Sequence, residues 1–270
     1  MFLRIVFLIS LCGLWFTQAS VAQEQPNTST EERFSDSPTT LVKQESMVEL
    51  PRLEEILKLH YEAMGKEALS EVNTLSISGI EIKDNKLDQQ QFTEFYKRDR
   101  KIRIEDKVQG SNYTKAFNGQ EAWYENKSKK KNQRLSLSEA AILILRADID
   151  GALFNYAAKD YTLELEGIDF VGETLTYELV LTTNLGTKVT YYVNTETFLI
   201  EKMAYDIVII GDLVIHNELI YKTYQTIGGV QFPFMIEIWV DGDKQSVLVY
   251  KNILLNPDFA DAFFDFPEKN

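Results

Sequence analysis

Residues 173–210 of this 270-residue chain, ETLTYELVLTTNLGTKVTYYVNTETFLIEKMAYDIVII, decide the fold that the sequence predicts. Odd-numbered positions from Leu175 to Leu181 are apolar and the even-numbered ones are mostly polar, which is the period-2 pattern of a strand with one buried face. Asn184 to Gly186 favour a tight turn, and the odd positions from Val189 to Val193 repeat the alternation. After a second turn at 195–197 the chain returns. The stretch therefore predicts three consecutive antiparallel strands.

The same alternation continues on both sides of this stretch. Spacings of roughly 8–12 residues between such runs are typical of a meander of strands. We therefore predict roughly ten strands in one strongly curved antiparallel sheet, with helices closing its concave face, so the fold class is a mainly β half-barrel with some α-helix. The further strands are expected at 74–80, 91–96, 101–105, 113–117, 121–124, 213–224, 230–240 and 245–254.

Helical patterns occur at two places. From Pro51 to Met64 apolar residues recur every three or four positions, and the glycine that follows suits a helix cap. His60 lies in this apolar stripe, where we expect a packed, hydrogen-bonded histidine. A capping box between Ser136 and Glu139 opens a second apolar segment, which we interpret as two helices, 140–145 and 152–159.

The N-terminal residues predict export. Residues 1–22 combine one arginine, a short apolar run and small residues before position 23, which is the pattern of a signal peptide cleaved after Ala22. The only cysteine, Cys12, would leave with it. Residues 23–50 are polar and predict a disordered linker, so residues 51–270 form the folded domain. We expect the protein in the periplasm, either free or associated with the outer membrane.

Composition and motifs exclude several functions. With 41 acidic and 28 basic residues, the net charge of −13 argues against nucleic acid as a partner. The two histidines, His60 and His216, have no metal-ligand spacing, and neither a nucleophile elbow nor a phosphate-binding glycine loop is present. We therefore expect no metal, no cofactor and no catalytic residues.

One basic cluster interrupts the acidic chain between positions 127 and 134. Its functional interpretation is a patch for lipid headgroups or an acidic protein partner, and its simpler interpretation is a solvated loop. The candidate patch residues are Lys129, Lys130, Lys131 and Arg134.

Several short motifs, in matching order, resemble the outer-membrane lipoprotein-sorting (LolA/LolB-like) superfamily. They are the helix-to-strand opening at 56–79, FNGQEAW at 117–123, YYVNTET at 191–197 and the aromatic tail at 263–267. The resemblance spans residues 51–267 and implies a half-barrel whose hydrophobic cavity holds acyl chains. In the carriers an arginine in the cavity holds a lid closed. Arg146 is the candidate here, by its place in the helical segment.

Two functions follow from these patterns. The first is an exported, non-enzymatic carrier, monomeric, that binds the acyl chains of a lipid or lipoprotein in a hydrophobic cavity. The second is an interaction or structural module of the cell envelope, with a filled core and a protein partner at one edge or at the basic loop. The carrier hypothesis assigns the cavity lining to Trp123, Leu143, Leu145, Phe154, Tyr177, Leu179, Tyr191, Met203, Phe234 and Trp239.

Overall fold

The computed structural model of the protein describes residues 50–83, 89–108, 110–208 and 213–267. Three α-helices are present in this part of the chain: α1 (Leu53–Met64), α2 (Lys66–Ser70) and α3 (Ala141–Arg146). The thirteen strands are β1 (Thr74–Lys83), β2 (Gln89–Lys97), β3 (Lys101–Val108), β4 (Ser111–Phe117), β5 (Ala122–Asn126), β6 (Lys131–Leu135), β7 (Thr162–Val171), β8 (Thr174–Thr182), β9 (Lys188–Asn194), β10 (Ile200–Val208), β11 (Val214–Ile227), β12 (Val230–Val240) and β13 (Asp243–Leu255).

All thirteen strands form one antiparallel sheet in the order β6-β5-β4-β3-β2-β1-β13-β12-β11-β10-β9-β8-β7. Two meanders, β1–β6 and β7–β13, are joined where β1 pairs with β13. The sheet is curved and does not close, so β6 and β7 are its two edges. The predicted fold class, a half-barrel with helices on its concave face, is confirmed.

Residues 173–208 contain β8, β9 and β10, the three strands that their alternation predicted. Leu179 pairs with Tyr191, and Tyr191 pairs with Met203, so all three apolar side chains lie on one face. The turn between β9 and β10 is fixed by the Asn194 side chain, whose oxygen accepts the amide protons of Glu196 at 2.8 Å and Thr197 at 2.9 Å. This is the Asx turn that such residues favour.

The strand number in the prediction was too low, because β6 and β7 were missed. β6 (KNQRL) lies in the basic cluster and has almost no apolar residue to reveal it. In β7 a bulge between Leu165 and Gly167 shifts the register, so the apolar positions change from odd to even along the strand. Periodicity alone does not follow such a change.

The concave face carries two apolar cores. The first lies under β1–β5, β12 and β13 and includes Leu69 of α2 and Ile144 of α3. The second lies under β7–β10 and includes Ile56 and Leu57 of α1. The apolar stripe predicted for α1 therefore faces the sheet.

The outer face of β2, β3 and β5 is covered by the C-terminal tail, residues 256–267. The Phe95 ring packs edge-on against Phe259 and Phe263, and the Arg103 guanidinium donates to the Phe263 carbonyl at 2.8 Å. Phe264 is fully buried. The tail therefore lies on the face opposite the two cores.

The signal peptide, Cys12 and all but the last residue of the predicted linker lie outside the described residues, as do Ile209 and Ile210. Within the described part of the chain, every helix is too short or too polar to span a bilayer.

Gly65 fixes the angle between α1 and α2. Its backbone is left-handed, with φ of +83°, and a Cβ at this position would lie 2.0 Å from the Gly229 carbonyl oxygen. Only glycine satisfies both the backbone angle and the close approach to the turn between β11 and β12.

We predict that Gly65→Ala destabilises the protein far more than Gly172→Ala. Gly172 also has a positive φ, +63°, but no atom lies within 4 Å of the added Cβ. Gly172→Ala should cost about 1 kcal/mol for the backbone angle alone. Gly65→Ala should cost about 2 kcal/mol more, because a backbone oxygen must move. Urea unfolding of both variants measures the difference, and equal losses would show that the contact is unimportant.

Candidate functional site

Residues 136–161, which we name the crossing segment, run from edge strand β6 to edge strand β7 across the concave face. The predicted capping box forms: the amide of Ser136 donates to the Glu139 carboxylate at 2.8 Å, and the Glu139 amide donates to the Ser136 hydroxyl. Bonds from Ser136 lower the pKa of Glu139. The segment contains less helix than predicted. α3 ends at Arg146, and a single 3-10 turn, Tyr156–Lys159, replaces the helix expected at 152–159.

The missing helix has a local cause. Asn155 and Asp160 flank the 3-10 turn with left-handed backbones, at φ of 46° and 58°. An α-helix cannot pass through such residues. The apolar residues of the segment still face the sheet, because Ile144 belongs to the first core and Leu145 to the second.

Polar ties fasten the crossing segment to the first meander. Arg146 donates to the Glu94 carboxylate of β2 at 2.5 Å. Arg98 makes a bidentate pair with Asp150, at 2.6 and 3.0 Å. The Arg100 guanidinium donates to the Tyr161 hydroxyl at 2.6 Å. The segment is thus held by arginines as well as by apolar packing.

Arg146 and Glu94 form the centre of the site. The Glu94 side chain is only 3% exposed and also accepts the Tyr96 hydroxyl at 2.5 Å, whereas the Arg146 side chain is 34% exposed. Burial opposes the positive charge of Arg146, but Glu94 and nearby tyrosines outweigh it, so its pKa lies well above the ordinary value. Burial raises the pKa values of Tyr96 and Tyr250, which therefore stay neutral. An apolar sheet face thus carries a charged, hydrogen-bonded pair.

We predict an asymmetric response to mutation of this pair. Arg146→Leu leaves a buried carboxylate unpaired and should cost about 3 kcal/mol of unfolding free energy. Glu94→Gln should cost less, because Arg146 retains access to water and Tyr96 retains an acceptor. The double variant Arg146→Leu/Glu94→Leu should recover part of the loss. Urea unfolding tests this, and a double variant less stable than Arg146→Leu would contradict it.

A second polar pair lies on the same face, on neighbouring strands. Asp106 of β3 shares the face of Ile102 and Ile104, and Lys115 pairs with Ile104 across β3 and β4. Burial raises the pKa of Asp106 to about 6, although Lys115 acts in the opposite direction. Burial likewise lowers the pKa of Lys115, against the attraction of Asp106.

This raised pKa predicts a pH-dependent stability. The pKa of this aspartate is about 3.9 in the unfolded chain and about 6 in the folded protein. Its contribution to the free energy of unfolding is therefore fully present below about pH 4 and is lost as the pH rises through 6. Asp106→Asn should therefore match the wild type near pH 4 and exceed its stability at pH 7.5 by about 1–3 kcal/mol. Urea unfolding at both pH values measures this. A difference independent of pH would contradict the assignment.

His60 is a packed residue, as predicted. Its Nδ1 lies 2.7 Å from the Phe198 carbonyl oxygen, and burial lowers its pKa, so the ring is neutral and donates to that oxygen. Within the described residues, no group of three or more metal-ligating side chains occurs.

The structure brings most of the ten predicted cavity residues to the concave side. Leu145, Leu179, Tyr191 and Met203 are buried in the second core, and Tyr177 packs against it. Three more lie on this side. Leu143 and Phe234 pack against the first core. The ring of Phe154 packs edge-on against Tyr61 of α1, with 5.0 Å between the ring centroids.

Trp123 and Trp239 lie on the opposite face, so their predicted placement was wrong. Trp123 shares a face with Ala116 and Arg103, and its indole N–H donates to the Phe264 carbonyl at 2.9 Å. Trp239 donates to the Glu237 carboxylate at 3.3 Å on the outer face. The alternation of apolar and polar residues assigns side chains to two faces of a strand but does not tell which face is concave. Trp123 is buried on the outer face because the C-terminal tail covers it.

The basic cluster divides between a turn and an edge strand. Lys129 ends a 3-10 turn capped by Asn126, and Lys131 begins β6. Arg134 pairs with Glu121 at 2.5 Å and lies over the Phe266 ring. Lys129, Lys130 and Lys131 are exposed and make no ion pair with a described residue. Their role as a patch stays a prediction.

A separate pocket of about 200 Å³ lies on the outer side of β2, β3 and β4. Its lining is mainly polar, which does not suit an acyl chain. The lining includes Gln91, Thr93, Glu105, Lys107, Asn112 and Lys127.

Comparison with known proteins shows the fold. No protein-family model and no curated protein sequence matches the chain. Among solved structures, it is similar to a LolA superfamily protein from Nitrosomonas europaea, at 19% identity and a TM-score of 0.54, over 80% of this chain and 98% of that one.

The chain is also similar to two further solved structures. A DUF1329 family protein from Desulfovibrio piger has 15% identity and a TM-score of 0.52, over 78% of this chain and 96% of that chain. A domain assigned as an outer membrane lipoprotein-sorting protein from Vibrio parahaemolyticus has 10% identity and a TM-score of 0.52, over 78% and 97%. The chain therefore has the LolA-like fold that its sequence motifs predicted.

Proposed function

We propose that this protein is an exported, non-enzymatic carrier that holds the acyl chains of a lipid or lipoprotein against the concave face of its sheet. The observation that carries the proposal is the cover of that face. A broad apolar wall is closed by short helices and a crossing segment that arginine pairs tie down. The fold shared with lipoprotein-sorting proteins supports the same function.

The binding wall would be formed by the eight predicted residues that face the cores. Leu179, Tyr191 and Met203 are buried beneath α1 and the crossing segment, so a ligand reaches them only when this cover moves. Each buried methylene of an acyl chain would then contribute about 0.8 kcal/mol. Trp123 and Trp239 have no part in this wall.

The ion pairs that hold the crossing segment are compatible with its opening. Arg146 is partly exposed, so its charge stays hydrated if the bond to Glu94 breaks, and the bidentate pair between Arg98 and Asp150 is also partly accessible to water. When the crossing segment lifts from β2, Glu94 also gains access to water, so neither charge is left buried and unpaired, and an ion pair exchanged for two hydrated charges contributes little net stability. Opening the crossing segment therefore costs less than it would if apolar contacts alone held it. Arg146 would thus do the work that the resemblance assigned to a lid arginine.

Export rests on the sequence of residues 1–22, which has the features of a signal peptide. We place the mature protein in the periplasm, with residues 23–50 as a linker before the folded domain, 51–270. It would act as a monomer, without cofactor or catalytic residues.

The proposal predicts a bound lipid. The full chain, exported from a bacterial host and purified without organic solvent, is to be studied by native mass spectrometry and by solvent extraction. We expect lipid in the wild type and several-fold less in Leu219→Trp, since Leu219 packs against both cores and a larger side chain occupies the binding space.

Ile220→Trp is the matched control. Ile220 is the next residue of β11, is also half-buried and faces the other side of the sheet. The Ile220→Trp variant should retain as much lipid as the wild type. Lipid-free wild-type protein in repeated preparations, or equal lipid in all three proteins, would overturn the carrier function and favour a filled core.

A further inference from the structure

The edge strand β7 is built differently from the other edge of the sheet. It has ten residues, and only β8 pairs with it among the described strands. Its outward backbone groups therefore offer a row of donors and acceptors to an additional strand. β6, in contrast, has five residues, and two of them reach across to other parts of the chain: Asn132 donates to the Pro267 carbonyl, and Arg134 pairs with Glu121.

β7 also presents large apolar side chains to water. Ile168 and Phe170 pair with Tyr177 and Leu175, so they lie on the concave side of the sheet, yet they are 51% and 62% exposed. Soluble proteins usually protect a long edge strand with lysine, proline or a covering loop. Here the apolar row of the second core continues past its cover to the open edge.

Three other side chains of β7 are acidic. Glu164 and Asp169 lie on the outer side of the strand, Glu166 occupies the bulge, and all three are exposed. A second copy of β7 laid antiparallel against the first would bring carboxylates opposite carboxylates. Like charges directly across two strands are destabilising. This charge pattern disfavours self-pairing and favours a basic partner.

We infer that β7 is a docking edge for an extended segment of a partner protein in which lysine or arginine alternates with apolar residues. The segment adds to the sheet as a fourteenth strand. Its apolar side chains cover Ile168 and Phe170, and its basic side chains lie beside Glu164 and Asp169. Backbone bonds give affinity in such strand addition, and the alternating side chains give specificity.

One local contact fits this arrangement. The Asp169 carboxylate accepts the amide proton of Phe170 at 2.7 Å in an exposed position. An incoming strand replaces this bond with a carbonyl, which frees the carboxylate for a basic side chain. Docking at this edge does not require lipid carriage, because Ile168 and Phe170 lie beyond the covered part of the wall, whereas Leu163 of the same strand lies within it.

The test uses the full protein and a fluorescently labelled peptide in which lysine alternates with valine. The peptide has about nine residues, which is within the usual length of a strand. Fluorescence anisotropy measures binding, and hydrogen exchange of the protein maps the contact. We expect saturable binding that weakens with salt and slows amide exchange in β7. A peptide of the same composition with its lysines grouped at one end should bind much more weakly.

Variants locate the site. Phe170→Lys places a charge on the apolar row and repels the basic peptide, so affinity should fall about tenfold or more. Val208→Lys is the control, because Val208 is 66% exposed but lies at the end of β10. It should bind as the wild type does. Thermal unfolding by circular dichroism verifies that both variants fold.

Several results would contradict the docking edge, and each points to a different cause. No binding, equal binding by both peptides, or equal loss in both variants would overturn the docking edge. Sedimentation that shows a dimer abolished by Phe170→Lys would identify a second copy as the occupant and would overturn the basic partner. Lipid content is measured on the same preparations, so the failure of one proposal is separable from the failure of the other.

Discussion

The pairing of the first strand with the last holds this structure together. Apart from β1 with β13, each described strand pairs only with strands next to it in the chain. Without that ladder, from Leu75 opposite Leu255 to Lys83 opposite Ser246, the two meanders would be separate sheets. Neither would then form the curved wall. The crossing segment spans the two halves on the concave side, so the two cores, their cover and the arginine ties all depend on one pair of strands.

Charge within the apolar wall is the second constraint. A purely apolar concave face would pack against its helices without any preferred arrangement, whereas hydrogen-bonded polar groups fix one. Glu94 accepts from both Arg146 and Tyr96, which sets the position of α3 on β2. The same ties remain partly accessible to water at Arg146, so the wall combines a defined closed state with a modest cost of opening. The proposed carrier function requires both properties.

The sequence predicted the elements whose alternation is regular. The positions from Leu175 to Leu181 gave β8 its face, and the capping box at Ser136 marked the start of the crossing segment. β7 was missed because the bulge at Glu166 changes the phase of its pattern. Trp123 was assigned to the wrong side because its burial depends on the distant C-terminal tail.

The centre of the site was only half predicted. Arg146 was proposed from its place in the chain, while its partner Glu94 was overlooked. Glu94 stands between Phe92 and Tyr96 on the apolar side of β2, and Asp106 likewise follows Ile102 and Ile104 on β3. A carboxylate in phase with apolar residues is a signal that could have found both. Their partners come from other elements, which no local pattern shows.

The position of β13 and the tail has a consequence for biosynthesis. The strand that unites the meanders and the aromatic residues that cover Trp123 both come from residues 243–267, which follow the other twelve described strands in the chain. A ribosome must therefore synthesise those twelve strands before either contact exists. Until then nothing joins the two meanders, so the nascent chain has no finished sheet and Trp123 has no cover.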